Sequence, residues 1–144
     1  MESAARVLII AGLLNIAYGL LTGLPASMIR RKNPTYSKYL RFVHVGALMW
    51  GPILISLALA IGLSALDVNT AMIAAWLMVI ASVLLDAKDT INWLRGTQDE
   101  FAENARLPLL LGGLSSLASL VGIAIILVGV VQAVGKVDVL LSAQ

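Results

Sequence analysis

The chain has 144 residues, 60% of them hydrophobic and 12% charged, with a formal net charge of +2. By length that is one domain, far more apolar than a soluble one and too weakly basic to imply a nucleic-acid partner. There is no cysteine, which excludes disulfide, iron–sulfur and thiolate chemistry.

The charges fall in blocks and leave four apolar runs, at about residues 7–29, 42–66, 70–94 and 107–134. Each is near the roughly 20 residues that a spanning helix needs. A bilayer offers no water to backbone groups, so helices that satisfy their own hydrogen bonds are the expected solution. The predicted fold is all-α, an integral membrane four-helix bundle forming a single transmembrane domain over residues 1–144.

The first run is longer than a signal-peptide core, and Glu2 weakens the basic start such a peptide needs, so a spanning helix is the expected reading. Asn15, Gly19 and Thr22 share a face, with Gly12 close by. Gly19 and Gly23 form a small-xxx-small pair that lets another helix approach closely. The face serves packing, or Asn15 points into a buried polar site. Arg30, Arg31, Lys32, Lys38 and Arg41 follow without an acid among them. They mark a cytoplasmic loop, or pair with the anionic edge of a cofactor. Pro25 and Pro34 predict a broken, turning backbone here.

The second run opens at Arg41-Phe42-Val43-His44, which holds the only histidine in the chain. An imidazole at the mouth of a span is an interfacial or hydrogen-bonded residue, or a metal or haem ligand. His44, Leu48 and Gly51 share a face by their spacing, so a ring held by His44 would meet little bulk one and two turns further in. Pro52 predicts a kink, and Gly51 a close backbone approach.

Asp67-Val68-Asn69-Thr70 reads as a short turn. The third run becomes polar at Asp86, continues as helix through Arg95 and stops at Gly96. Asp86, Asp89 and Trp93 share a face, with Thr90 beside them. The aspartates are a membrane boundary or an acid for chemistry. Trp50, Trp76 and Trp93 read as packing or belt residues. Asp99, Glu100, Glu103 and Arg106 read as a solvated loop. In the last run Pro108 fits a first helical turn. Gly112, Ser115, Ser119, Gly122 and Gly129 form a small-residue seam, within the bundle or between subunits.

Eight of the ten cations lie at the end that carries the first and third loops, and only Arg6 and Lys136 at the other. The expected location is therefore the cell (inner) membrane, with loops 30–41 and 95–106 cytoplasmic and both termini outside. One histidine without cysteine cannot build the usual zinc site. No glycine-rich phosphate loop occurs, and no second histidine is present to activate a serine. The first span has no acid, which argues against the proton-coupled export of small four-span multidrug transporters.

Three local matches carry a family resemblance. Leu20-Leu21-Thr22-Gly23-Leu24 runs into a proline and a basic loop. His44 is followed by Met49, Trp50 and Gly51, where the family has a histidine and then a hydrophobic residue, asparagine and glycine. Asn92-Trp93-Leu94 resembles a third-span asparagine-tryptophan. Through these, its span number and its loop sizes, nearly the whole chain resembles the small membrane family of hydroxylaminobenzene mutase and styrene oxide isomerase. The resemblance implies a homotrimer of four-helix bundles in the lipid bilayer, with haem b on the family histidine. It implies His44 as the axial metal ligand, with Arg41, Lys38 and the Arg30–Lys32 run as partners for the haem propionates. The iron would act as a Lewis acid on a small apolar epoxide or arylhydroxylamine, without net redox change. Asp86, Asn92 and Asn15 are the expected catalytic groups. Trp50 stands where the family has asparagine, and a third-span tyrosine is lost in either alignment, falling on Leu94 or Gly96. These departures favour haem binding through His44 over styrene oxide turnover. The alternatives are a haem-binding or purely structural membrane protein without activity and, third, a transporter.

Overall fold

The computed structural model describes residues 2–33 and 36–142, with side chains placed as far as 135. The expected turn at Pro34 lies outside the described residues, as does the side chain of Lys136. The described chain is four helices without a strand: α1 (Glu2–Lys32), α2 (Lys38–Gly62), α3 (Val68–Arg95) and α4 (Arg106–Ser142). Each contains a stretch long and apolar enough to cross a membrane, with mean hydropathy between 2.0 and 2.6. At about 1.5 Å per residue the shortest helix still exceeds the roughly 30 Å hydrocarbon core.

The inside of the bundle is made of small side chains and its outside of large ones. Ala4, Ala11, Ala58, Ala71, Ala74 and Ala75 are buried around Leu8, Leu54 and Ile61. Leu13, Leu20, Leu59, Leu117 and Leu127 point outward and are more than half exposed. In water this would be an inverted protein. In lipid it is expected, because tails solvate leucine well and helix association rests on close packing of small residues.

α1 packs mainly on α2, and α3 mainly on α4. Between α1 and α2 the glycines decide the distance. A Cβ on Gly12 would lie 2.7 Å from the Gly51 carbonyl oxygen, and one on Gly19 would lie 2.8 Å from Leu48 Cγ. The seam of α4 is turned inward, onto α3. The Ser115 hydroxyl donates to the Ala81 carbonyl at 2.7 Å, and a Cβ on Gly122 would meet Met78 Sδ at 2.8 Å. The seam therefore serves the bundle.

Several expectations need correction. Helix α1 runs through Pro25 to Lys32; a proline's missing donor is tolerated in a spanning helix whose neighbours cover the freed carbonyl. Asp67 does not begin a turn but caps α3, accepting from the backbone N–H groups of Asn69 and Thr70 at 3.0 and 3.1 Å. Bonds from the Thr70 hydroxyl and backbone hold its carboxyl below the usual carboxylate range. This contribution is present above the unfolded pKa and is lost as pH falls through the lower folded value. Gly96 ends α3 at φ 68°, with its N–H on the Trp93 carbonyl and the Thr97 N–H on the Asn92 carbonyl, a Schellman pair.

The α3–α4 loop is not simply solvated. Glu100 is only 8% exposed. Its carboxylate accepts from Lys88 Nζ at 3.0 Å and Asn92 Nδ2 at 2.6 Å, and its backbone N–H donates to the Tyr39 hydroxyl at 3.0 Å. Lys88 also pairs with Asp89 at 3.3 Å. A buried charge requires this kind of pairing, and here it ties the loop to α2 and α3 at one end of the bundle.

Candidate functional site

Helix α1 has two flanks, and each borders a cavity. On the α2 side, a space of about 600 Å³ is lined by Gly23, Ala26, Ser27, Arg30, Arg31, Tyr36 and His44. His44 is half-buried and its ring rests on Gly23, where a Cβ would lie 2.6 Å from Cε1 and 2.9 Å from Nδ1. Nδ1 is 2.7 Å from the Gly19 carbonyl oxygen. A carbonyl only accepts, so Nδ1 donates, and in the neutral ring Nε2 keeps a free lone pair. The backbone bond sets the tautomer and fixes the ring, an arrangement that ligating histidines also use.

The face running inward from His44 is not open. Leu48 seats on Gly19, and Gly51 abuts Gly12 and Ile16. The expected room one and two turns further in is filled because those glycines serve the α1–α2 contact. The space lies the other way, toward the basic end. Arg30 and Arg31 border it, whereas Lys38 lies 3.9 Å from Asp99 and over the Tyr39 ring, and Arg41 is exposed and does not line it. Among the described residues no group of three or more His, Asp or Glu side chains could enclose a metal ion. Of the residues lining this space, His44 and Tyr36 are the ones whose side chains could ligate a metal-centred group.

On the α3 side, a second cavity of about 430 Å³ is lined by Leu14, Asn15 and Tyr18 of α1 and by Val83, Asp86, Ala87, Thr90 and Ile91 of α3. Leu14 is 64% and Val83 56% exposed, so it opens sideways. Asn15 Nδ2 donates to the Ala11 carbonyl at 2.9 Å and to Ser82 Oγ at 3.3 Å. Tyr18 and Thr90 hydroxyls are 2.7 Å apart. These pairs hold two parallel helices together along one polar strip.

The structure thus brings Asp86 and Asn15 together but separates them from His44 by the width of α1. Asn92, fully buried on Glu100, borders neither cavity and serves the loop anchor. Sequence reading missed Tyr18, Tyr36 and Glu100. Tyr18 follows Asn15 by three positions, a spacing that places both on one flank and was available as a signal. Glu100 and Tyr39 are 61 residues apart, and no local pattern announces their contact. In comparisons with protein-family models, curated proteins and solved structures, the chain matches none.

Proposed function

We propose that this membrane protein is a haem-dependent isomerase of the kind suggested by the mutase and epoxide-isomerase resemblance, with His44 as the residue that would hold the haem. The observation that carries the reading is the His44 ring: Nδ1 is committed to the Gly19 carbonyl at 2.7 Å, and the ring borders a large cavity rimmed by two arginines. The donor set fits a porphyrin. One neutral imidazole nitrogen is free, glycine rather than a side chain lies under the ring, and Arg30 and Arg31 stand where carboxylates would need pairing. The cavity volume lies within the roughly 300–1,000 Å³ of small-molecule sites.

When bound, haem supplies a Lewis-acidic iron for a substrate oxygen. The chain's own residues do the rest. His44 would fix the group's position, Arg30 and Arg31 would neutralise its acidic edge, and the surrounding apolar helices would exclude water. Asp86 and Asn15 can serve the same reaction only across a subunit boundary, because they lie on the opposite flank of α1. A homotrimer in which one copy's α1–α2 flank meets the next copy's α1–α3 flank satisfies this, since a head-to-tail contact between unlike surfaces closes a ring. The separation within one chain also favours a second reading, a haem-binding protein without turnover.

Expression with a haem precursor, purification and an optical spectrum test the proposal. The wild type is expected to show a Soret band that His44→Ala loses. An apolar epoxide or arylhydroxylamine then separates enzyme from binder: Asp86→Asn is expected to lower turnover and leave the spectrum intact. A wild type without haem removes both readings.

A further inference from the structure

The cavity between α1 and α3 is one-sided in its hydrogen-bonding capacity. The Thr90 hydroxyl donates to the Asp86 backbone carbonyl at 2.6 Å. Its oxygen must therefore accept the Tyr18 proton across their 2.7 Å contact. The Asn15 amide donates to the Ala11 carbonyl and to Ser82 Oγ, and Ser82 donates its own proton to the Val79 carbonyl at 2.9 Å. The amide orientation is fixed because the Ala11 carbonyl can only accept. Every side-chain proton at this wall is spent.

What remains open to the cavity is two acceptor groups. Asn15 is 7% exposed, and its Oδ1, though it has no hydrogen-bond partner, is buried behind the wall. The Tyr18 oxygen keeps lone pairs. The Asp86 carboxylate makes no ion pair or hydrogen bond among the described residues. Lys88, the nearest cation in sequence, is committed to Asp89 and Glu100. Asp86 is also the deepest charge of α3, about 13 Å along the helix from Arg95 at 1.5 Å per residue. An ionisable group at such depth marks a site and calls for a partner.

We propose that this cavity binds the ammonium group of a small apolar amine that arrives from the lipid side. Asp86 is the counter-ion and accepts through its two carboxylate oxygens, and the Tyr18 oxygen accepts a further N–H bond. A primary ammonium carries three donors and no acceptor, which complements a wall whose free groups are acceptors. Its apolar body lies against Leu14, Val83 and Ile91. An ether or ketone of the same shape brings only acceptors and leaves both groups unpaired, a loss that buried polar sites enforce strongly. The inference stands on this cavity alone and needs neither His44 nor haem.

The test is titration calorimetry of the protein in nanodiscs of zwitterionic lipid, with 2-phenylethylamine and, as the uncharged control, methyl benzyl ether. Saturable amine binding at least about tenfold tighter than ether binding is expected, and about tenfold weaker binding in Asp86→Asn, as for the loss of one charge-assisted bond. Thermal unfolding and the haem spectrum of the same samples report separately on folding and on the His44 site. If Asp86→Asn does not fold, Tyr18→Phe carries the test, with an expected loss of about threefold for one neutral hydrogen bond. Absence of saturable amine binding, equal affinity for amine and ether, or an affinity unchanged in the variant that folds overturns the proposal.

Discussion

The two flanks of α1 are built from the same helix and do opposite things. Toward α2, Gly12, Gly19 and Gly23 let side chains and backbone press directly onto the helix, and the interface is filled along its length and opens only at the basic end, beyond Gly23 and His44. Toward α3, Asn15 and Tyr18 reach across to Ser82 and Thr90, and those bridges leave a cavity beside them. Removing Cβ atoms brings helices together, and polar bridging groups set a separation. In a bilayer, where burial of leucine drives nothing, these two devices decide where a small membrane protein is solid and where it is hollow.

The largest effect is expected where both flanks are anchored. Lys88→Met leaves Asp89 and Glu100 as buried carboxylates without their cation, and breaking such a pair costs about 3–5 kcal/mol. Unfolding in detergent, followed by circular dichroism, should show it; a change under about 1 kcal/mol would mean that the loop anchor is solvated after all. Next comes the contrast between the flanks themselves. Gly12→Leu drives a side chain into the Gly51 carbonyl and Ile55, and overpacking of this kind costs about 1–3 kcal/mol. Asn15→Leu, on the other flank, removes the bonds to the Ala11 carbonyl and Ser82 Oγ together with an acceptor that has no partner; relief of the second offsets loss of the first, so a net stability change within about 1 kcal/mol is expected. Equal losses from the two substitutions would erase the distinction. Gly96→Ala at the end of α3, where φ 68° costs a Cβ-bearing residue about 1–2 kcal/mol, falls between these two in the same unfolding measurement.

The helices were legible in the sequence because hydropathy and charge blocks act locally. The stop at Gly96, the glycine contacts at Gly12, Gly19 and Gly23, and the first turn at Pro108 follow from single residues and their spacing. The site was legible only in pieces. His44 stands out as the sole imidazole, yet the carbonyl that fixes its ring belongs to Gly19, 25 residues away. Periodicity placed Leu48 and Gly51 below His44 correctly, but could not tell that α1 already occupied that face. Asp86 and Asn15 were recognised as polar groups in apolar runs. That they share a cavity, on the far flank from the histidine, depends on how α1, α2 and α3 pack, which no local signal encodes. Lys38 and Arg41 had the right charge for a cofactor edge. The end of α1, extended through Pro25, instead puts Arg30 and Arg31 at the cavity.

The most direct test of two separate sites on one helix is the Soret absorbance of purified Gly23→Leu and Asp86→Asn beside the wild type. The account predicts that Gly23→Leu, whose side chain enters the space of the His44 ring, abolishes the band, and that Asp86→Asn leaves its position and intensity unchanged. A band that survives Gly23→Leu, or one that shifts with Asp86→Asn, contradicts it.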